Sequence, residues 1–170
     1  MSDKKRSVTF ATFSLERLLK SSPAKVFRAF ADPAQKQRWF RGPPEWGEDK
    51  RTMDFRVGGT ETSVGGPPGG FVSAFRGTYL DIVEPTATAA GRIVTAYDMI
   101  VDDVRISVSL NTVELRPAGA GTLLVLTEQS AFLDGHDDPA GREEGTRQLL
   151  EQLGRFVDVV DGADRAGGGA

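Results

Sequence analysis

The sequence predicts an α+β fold: a strongly curved antiparallel sheet whose apolar concave face is covered by one long C-terminal helix. Three observations predict it. Between residues 51 and 132, runs rich in β-branched and aromatic residues alternate with short Gly, Pro and Asp turn signals. The last segment sets Leu149, Leu150, Leu153, Phe156, Val157 and Val160 on one stripe at helical spacing. Two Ser/Asp-Pro pairs, Ser22-Pro23 and Asp32-Pro33, signal short helices directly after the first strand.

The elements follow in order. Residues 8–18 alternate as a first strand. Ser22 caps a helix that begins at Pro23 and lines up Val26, Phe27 and Phe30 on one face. Asp32-Pro33 starts a second helix running to Trp39-Phe40, and Gly42-Pro43-Pro44 ends it. Residues 44–50 are expected as loop. Strands follow at 51–57, 60–64, 71–83, 91–101, 105–115 and 122–132. A Gly/Pro hairpin loop at 65–70 and a tight turn at Asp102-Asp103 join consecutive strands, so the sheet is a meander. Asp138-Pro139 opens the terminal helix, with Glu143 and Glu144 where its dipole favours acids. One domain is expected over 8–161, with disordered tails at 1–7 and 162–170, the latter mostly Gly and Ala.

Composition removes several function classes. The chain has 170 residues, no cysteine and one histidine, which excludes disulfides, thiolate metal centres, a thiol nucleophile and any His-rich metal site. No metal and no cofactor are expected. A formal charge of −3 leaves no basic surplus to neutralise phosphates, so nucleic acid is not an expected partner. No apolar run approaches the length of a membrane-spanning helix, and the basic start is not followed by a signal-type apolar stretch. A cytoplasmic protein without a membrane partner is expected.

Five motifs then carry a resemblance: PAKVFRAFADP at 23–33, RWF at 38–40, DFRVGG at 54–59, GTYLDIVEP at 77–85 and GTLLVLTE at 121–128, followed by the helix at 145–156. Their order resembles the START-like (SRPBCC) superfamily, in the branch named for the activator of the heat-shock protein 90 ATPase. The resemblance covers about residues 10–160 and implies a helix-grip fold with a cavity between the sheet and the terminal helix. Many members carry Gly-Trp in that helix, whereas this chain has Gly145-Thr146. Superfamily functions range over lipid carriage, hormone binding, polyketide cyclisation and chaperone activation, with a stress-response role implied for this branch, so fold does not settle function.

Candidate site residues follow from these readings. Counting back from Leu149 puts position 145 or 146 on the buried side of the helix. A glycine there costs about 1 kcal/mol against alanine, and Gly145-Thr146 withholds bulk. That points either to an open cavity or to close helix–sheet contact. Trp39, Phe55, Phe75, Tyr79, Tyr97, Met99 and Phe132, with Phe71, are the apolar candidates for a cavity wall, against plain core packing. Glu61, Glu114 and Glu128 lie within strands, where Glu is depleted. Glu61 and Glu128 are taken as polar anchors, with Arg142, Arg56 or Arg105 as the partner a buried carboxylate needs. The plainer alternative is an exposed cross-strand pair. His136, among Asp134, Asp137 and Asp138, fits no calcium loop. It reads most simply as a solvated turn, or as a neutral-pH proton carrier if it faces the cavity mouth.

Three functions compete. The first is binding of a small hydrophobic or amphipathic molecule. The second, implied by the resemblance, is activation of a chaperone ATPase, although the additional N-terminal domain of eukaryotic activators is not expected here. The third is a cyclase or dehydratase using Glu61, Glu128 or His136; the reading leans away from an enzyme. A homodimer through an exposed edge strand or a helix is an open expectation.

Overall fold

The computed structural model describes residues 5–166, with side chains described through Val159. The described residues form seven strands and three α-helices. Strand β1 (Val8–Leu19) leads into α1 (Pro23–Ala31) and α2 (Pro33–Trp39). Strands β2 (Lys50–Met53), β3 (Thr60–Gly65), β4 (Ser73–Val83), β5 (Gly91–Val101), β6 (Val104–Ala118) and β7 (Gly121–Leu133) follow, and α3 (Pro139–Ala166) ends the fold. All neighbours are antiparallel in the order β1-β7-β6-β5-β4-β3-β2, so the meander β2 to β7 is completed by β1 pairing with β7.

The helix starts form as their sequence signals require. Ser22 Oγ accepts from the Lys25 N–H at 3.4 Å, and Asp32 Oδ1 accepts from the Ala34 N–H at 2.9 Å. At α3, Asp138 Oδ1 accepts from the Gly141 N–H at 2.8 Å. The β5–β6 hairpin turns on Asp102 and Asp103, both left-handed with φ 47° and 66°.

Several boundaries differ from expectation. The strand expected over 51–57 stops at Met53. Gly58 takes φ +83°, and a Cβ on Gly59 would stand 2.1 Å from the Asp54 carbonyl oxygen, so the chain bends there instead of extending. Strand β4 begins at Ser73, because the Val72 N–H donates to Asp102 Oδ1 at 2.8 Å, and Phe71 packs on Trp46 with centroids 5.3 Å apart. A 3-10 turn, Pro44–Trp46, occupies part of the expected loop. Helix α3 runs on to Ala166, so residues 162–166 of the expected tail are helical. The rest of the expected tails, 1–4 and 167–170, lies outside the described residues. Among the described residues, no helix is long and apolar enough to cross a membrane.

The core is off-centre. Leu150, Leu153 and Val157 of α3 pack with Leu15 and Leu19 of β1, Val26 and Phe30 of α1, Trp39 of α2, and Leu124 and Leu126 of β7. Val160 lies outside the residues whose side chains are described. Buried Ser21 fixes this end: its Oγ donates to the Val157 carbonyl at 3.1 Å, and its own carbonyl accepts from Thr122 Oγ1 at 2.8 Å. The second half of α3 is therefore clamped, while its first turns stand over the middle of the sheet.

Candidate functional site: a cavity under the first turns of the terminal helix

Strand register builds the floor of the site. One row across the sheet runs Ser63, Phe75, Met99, Ser107, Phe132. The next runs Glu61, Gly77, Tyr97, Ser109, Ser130, and the third Tyr79, Thr95, Asn111, Glu128, Phe13. Because side chains alternate with period two, all three rows present the same concave face. Glu61 and Glu128 are both 1% exposed, so both expected anchors lie inside.

Above this floor lies a cavity of about 600 Å³. Its wall includes Trp39, Phe55, Glu61, Phe75, Tyr79, Tyr97, Met99, Glu128, Arg142, Gly145 and Thr146, eleven of the thirteen candidates. Gly145 is exposed at the rim of the cavity, where a Cβ would meet nothing within 4 Å, and Thr146 is the buried member of the pair. Close helix–sheet contact is therefore not why a glycine stands at 145. The rings interlock edge to face along the wall: Phe40 to Phe75 at 5.6 Å, Phe55 to Tyr79 at 4.9 Å, with Phe75 tilted against Tyr97 at 4.8 Å.

Two candidates fall outside the wall. His136 sits exposed in the turn before α3, its N–H bonded to the Leu133 carbonyl at 3.1 Å, so it faces solvent. Phe132 is buried but lies beneath the Arg142 guanidinium, 5.4 Å from its ring, which shields it. Glu114 lies outside the cavity, as the plainer alternative held, but its partner Arg116 is two residues along the same strand and not across strands. The proposed partners Arg56 and Arg105 are likewise surface residues, bonded to Asp54 and Asp98.

Two buried polar clusters flank the aromatic wall. At the inner end, Glu61 Oε2 accepts from Lys36 Nζ at 2.7 Å and from the Tyr79 hydroxyl at 2.5 Å, and Oε1 accepts from Arg51 Nη1. Arg51 is spent elsewhere on the Phe40 carbonyl, Gln37 and Ser63. Burial alone would raise the Glu61 pKa, but the Lys36 ammonium, the Tyr79 hydroxyl and the Arg51 guanidinium outweigh it, so the carboxylate is held below its ordinary value. Burial, and then the adjoining anion, push Tyr79 above its usual range.

At the other end, Glu128 accepts from the Tyr97 hydroxyl at 2.7 Å, Ser130 Oγ at 3.2 Å and Asn111 Nδ2 at 3.2 Å. Arg142 stands 3.5 Å from Glu128 and donates to Ser107 Oγ at 2.8 Å and Asp137 Oδ2 at 2.7 Å. It thus ties the first turn of α3 to β5, β6 and β7. Of the three proposed arginine partners, only Arg142 serves, and it serves Glu128. Among the described residues, no three His, Asp or Glu side chains converge as a metal site requires.

Sequence reasoning missed Lys36 and Arg51. One signal for Lys36 existed: it shares a helical face with Trp39 and Phe40, so a lysine there interrupts an apolar stripe. Nothing local marks Arg51, whose role follows from β2 pairing with β3.

A curved seven-stranded antiparallel sheet gripping a C-terminal helix over a cavity defines a START-like helix-grip protein. The chain belongs to the family of activator of Hsp90 ATPase homolog 1-like proteins, whose match spans residues 20–158. An uncharacterized protein from Rhizobium leguminosarum is similar at 40% identity and a TM-score of 0.83, over 91% of this chain and 98% of that one. A Rhizobium loti protein is 45% identical with a TM-score of 0.79, over 88% and 99%. An AHSA1-like protein from Aeromonas hydrophila, at 20% identity and a TM-score of 0.63 over 89% and 94%, shares the fold. No curated protein matches.

Proposed function

We propose that this protein binds a small hydrophobic or amphipathic molecule in the cavity between the sheet and α3. The observation that supports this is the unfilled volume of about 600 Å³ beneath Gly145 and Thr146. It falls within the roughly 300–1,000 Å³ of ordinary ligand pockets. Trp39, Phe55, Phe75, Tyr79, Tyr97 and Met99 supply apolar contact, and Glu61, Glu128 and Arg142 are the polar groups that orient the ligand. Native mass spectrometry of the purified chain, together with fluorescence titration of 1-anilinonaphthalene-8-sulfonate, tests the reading. One molecule bound per chain is expected. A chain that carries nothing from the cell and takes up no probe ends the proposal.

A second reading, stimulation of an Hsp90-type ATPase, is supported by family membership and by a shallow apolar patch on the outer face around Phe10, Val108 and Leu110. Stimulated ATP hydrolysis by a bacterial chaperone of that type is the expected result, and an unchanged rate removes this reading.

A further inference from the structure

In direct contact the inner polar cluster sets two cations, Lys36 and Arg51, against one carboxylate, Glu61; Asp49 joins only through Ser63 Oγ, which donates to it and accepts from Arg51. Both Glu61 oxygens are taken, and every Arg51 nitrogen donates within the protein. Lys36 differs. An ammonium has three N–H donors, yet among the described residues the Lys36 side chain, only 9% exposed, makes a single hydrogen bond, to Glu61. Otherwise its Nζ has ring faces, Phe40 at 5.1 Å and Tyr79 at 5.8 Å, and it forms part of the cavity wall. A desolvated ammonium with unused donors is costly, and a partner of opposite charge removes the cost.

We infer that Lys36 is the anion subsite of the cavity, taking the carboxylate of an amphipathic ligand whose apolar tail lies along Phe40, Phe75 and Tyr97. The inference rests on the cavity reading above and names its ligand class. One carboxylate matches the surplus charge, whereas a doubly charged phosphate overshoots it. The direction of the ligand follows from the far end, where Glu128 and Asp137 outnumber Arg142 and repel a second anion. The remaining charged wall residues, Arg41 and Asp49, are opposite in sign. Burial lowers the Lys36 pKa, Glu61 opposes it and Arg51 adds to the lowering. A bound carboxylate opposes that lowering, as Glu61 does.

Calorimetric titration with dodecanoate, dodecanol and dodecyltrimethylammonium tests this. Dodecanoate is expected to bind about tenfold or more tighter than dodecanol, the worth of a charge-assisted hydrogen bond, and the cationic probe most weakly. Lys36→Met is expected to abolish the preference for dodecanoate over dodecanol; its fold should survive because Glu61 keeps Arg51 and Tyr79. Equal affinity for dodecanoate and dodecanol in the wild type overturns the subsite and leaves the cavity reading standing. Failure of all three probes to bind removes both. A measurement without any variant is the carbon-13 titration of carboxyl-labelled dodecanoate bound to the wild type. Its carboxyl is expected to ionise at lower pH than the free acid, and an equal or higher value overturns the inference.

Discussion

Replacing Thr146 with tryptophan tests the cavity most directly. Thr146 points inward from α3, is 8% exposed and lines the unfilled space. Among the described residues its hydroxyl bonds only to the Arg142 carbonyl one turn back, at 3.0 Å, a contact that adds little to a helix. Thr and Trp have similar helix propensities, so the backbone term nearly cancels. An indole buries about 150–250 Å². The gain in buried apolar area over threonine is then roughly 100 Å², worth at most ~2.5 kcal/mol at ~25 cal/mol per Å². Lost rotamer freedom takes back about 1 kcal/mol. Thr146→Trp is therefore expected to stabilise the protein by about 1–2 kcal/mol, raising Tm by about 2–8 °C for a chain of this length. Affinity for 1-anilinonaphthalene-8-sulfonate should fall at least about tenfold. Circular dichroism melts and probe titration on the same samples read both quantities. A Tm lowered by several degrees with probe binding intact would mean that the space is already filled, and the reasoning would be refuted.

The remaining predictions concern charge and a turn. Glu61→Gln leaves two buried cations with reduced compensation and should cost about 3–5 kcal/mol in urea denaturation at neutral pH; a loss below 1 kcal/mol would show the pair to be solvated. Glu61 titrates lower in the folded chain, so its stabilisation is complete above the unfolded value of about 4.3 and is lost as pH falls through the folded value, with a slope of up to ~1.4 kcal/mol per pH unit. The glutamine variant should flatten that acid limb. Lys36 acts on the alkaline side: its lowered value means that the unfolded chain binds the extra proton, so stability rises as pH climbs towards about 10.4, and Lys36→Met should remove the rise. At the β5–β6 turn, Asp103→Gly relieves a left-handed aspartate at φ 66° and should stabilise by about 0.5–1 kcal/mol; a loss of that size would contradict the turn geometry.

Parts of the site were legible in the pattern. Glu128 shares strand parity with Leu124, Leu126 and Phe132, which marks it as inward, although Leu123 and Val125 on the opposite face blur the signal. Glu114 shares parity with Thr112 and Arg116, an outward set. Glu61 is the hard case. Its neighbours by parity are Ser63 on one side and Gly59 on the other, while Thr60, Thr62 and Val64 make the more apolar face, so local pattern points Glu61 outward. It turns inward because the β3–β4 register sets it beside Gly77 and delivers it to Lys36, Arg51 and Tyr79.

Local chemistry alone determined the helix starts at Pro23, Pro33 and Pro139, the hairpin turns and the stripe that buries Leu150, Leu153 and Val157, because capping, turn conformation and periodicity act over a few residues. Long-range packing decided the rest. Whether Gly145 and Thr146 stand over contact or over a void depends on how far the Ser21 clamp and the Arg142 bridge hold α3 from the sheet. The charge of the inner cluster depends on residues 36, 51 and 61 meeting from α2, β2 and β3. Such meetings are properties of register and distance between elements, which no single segment encodes.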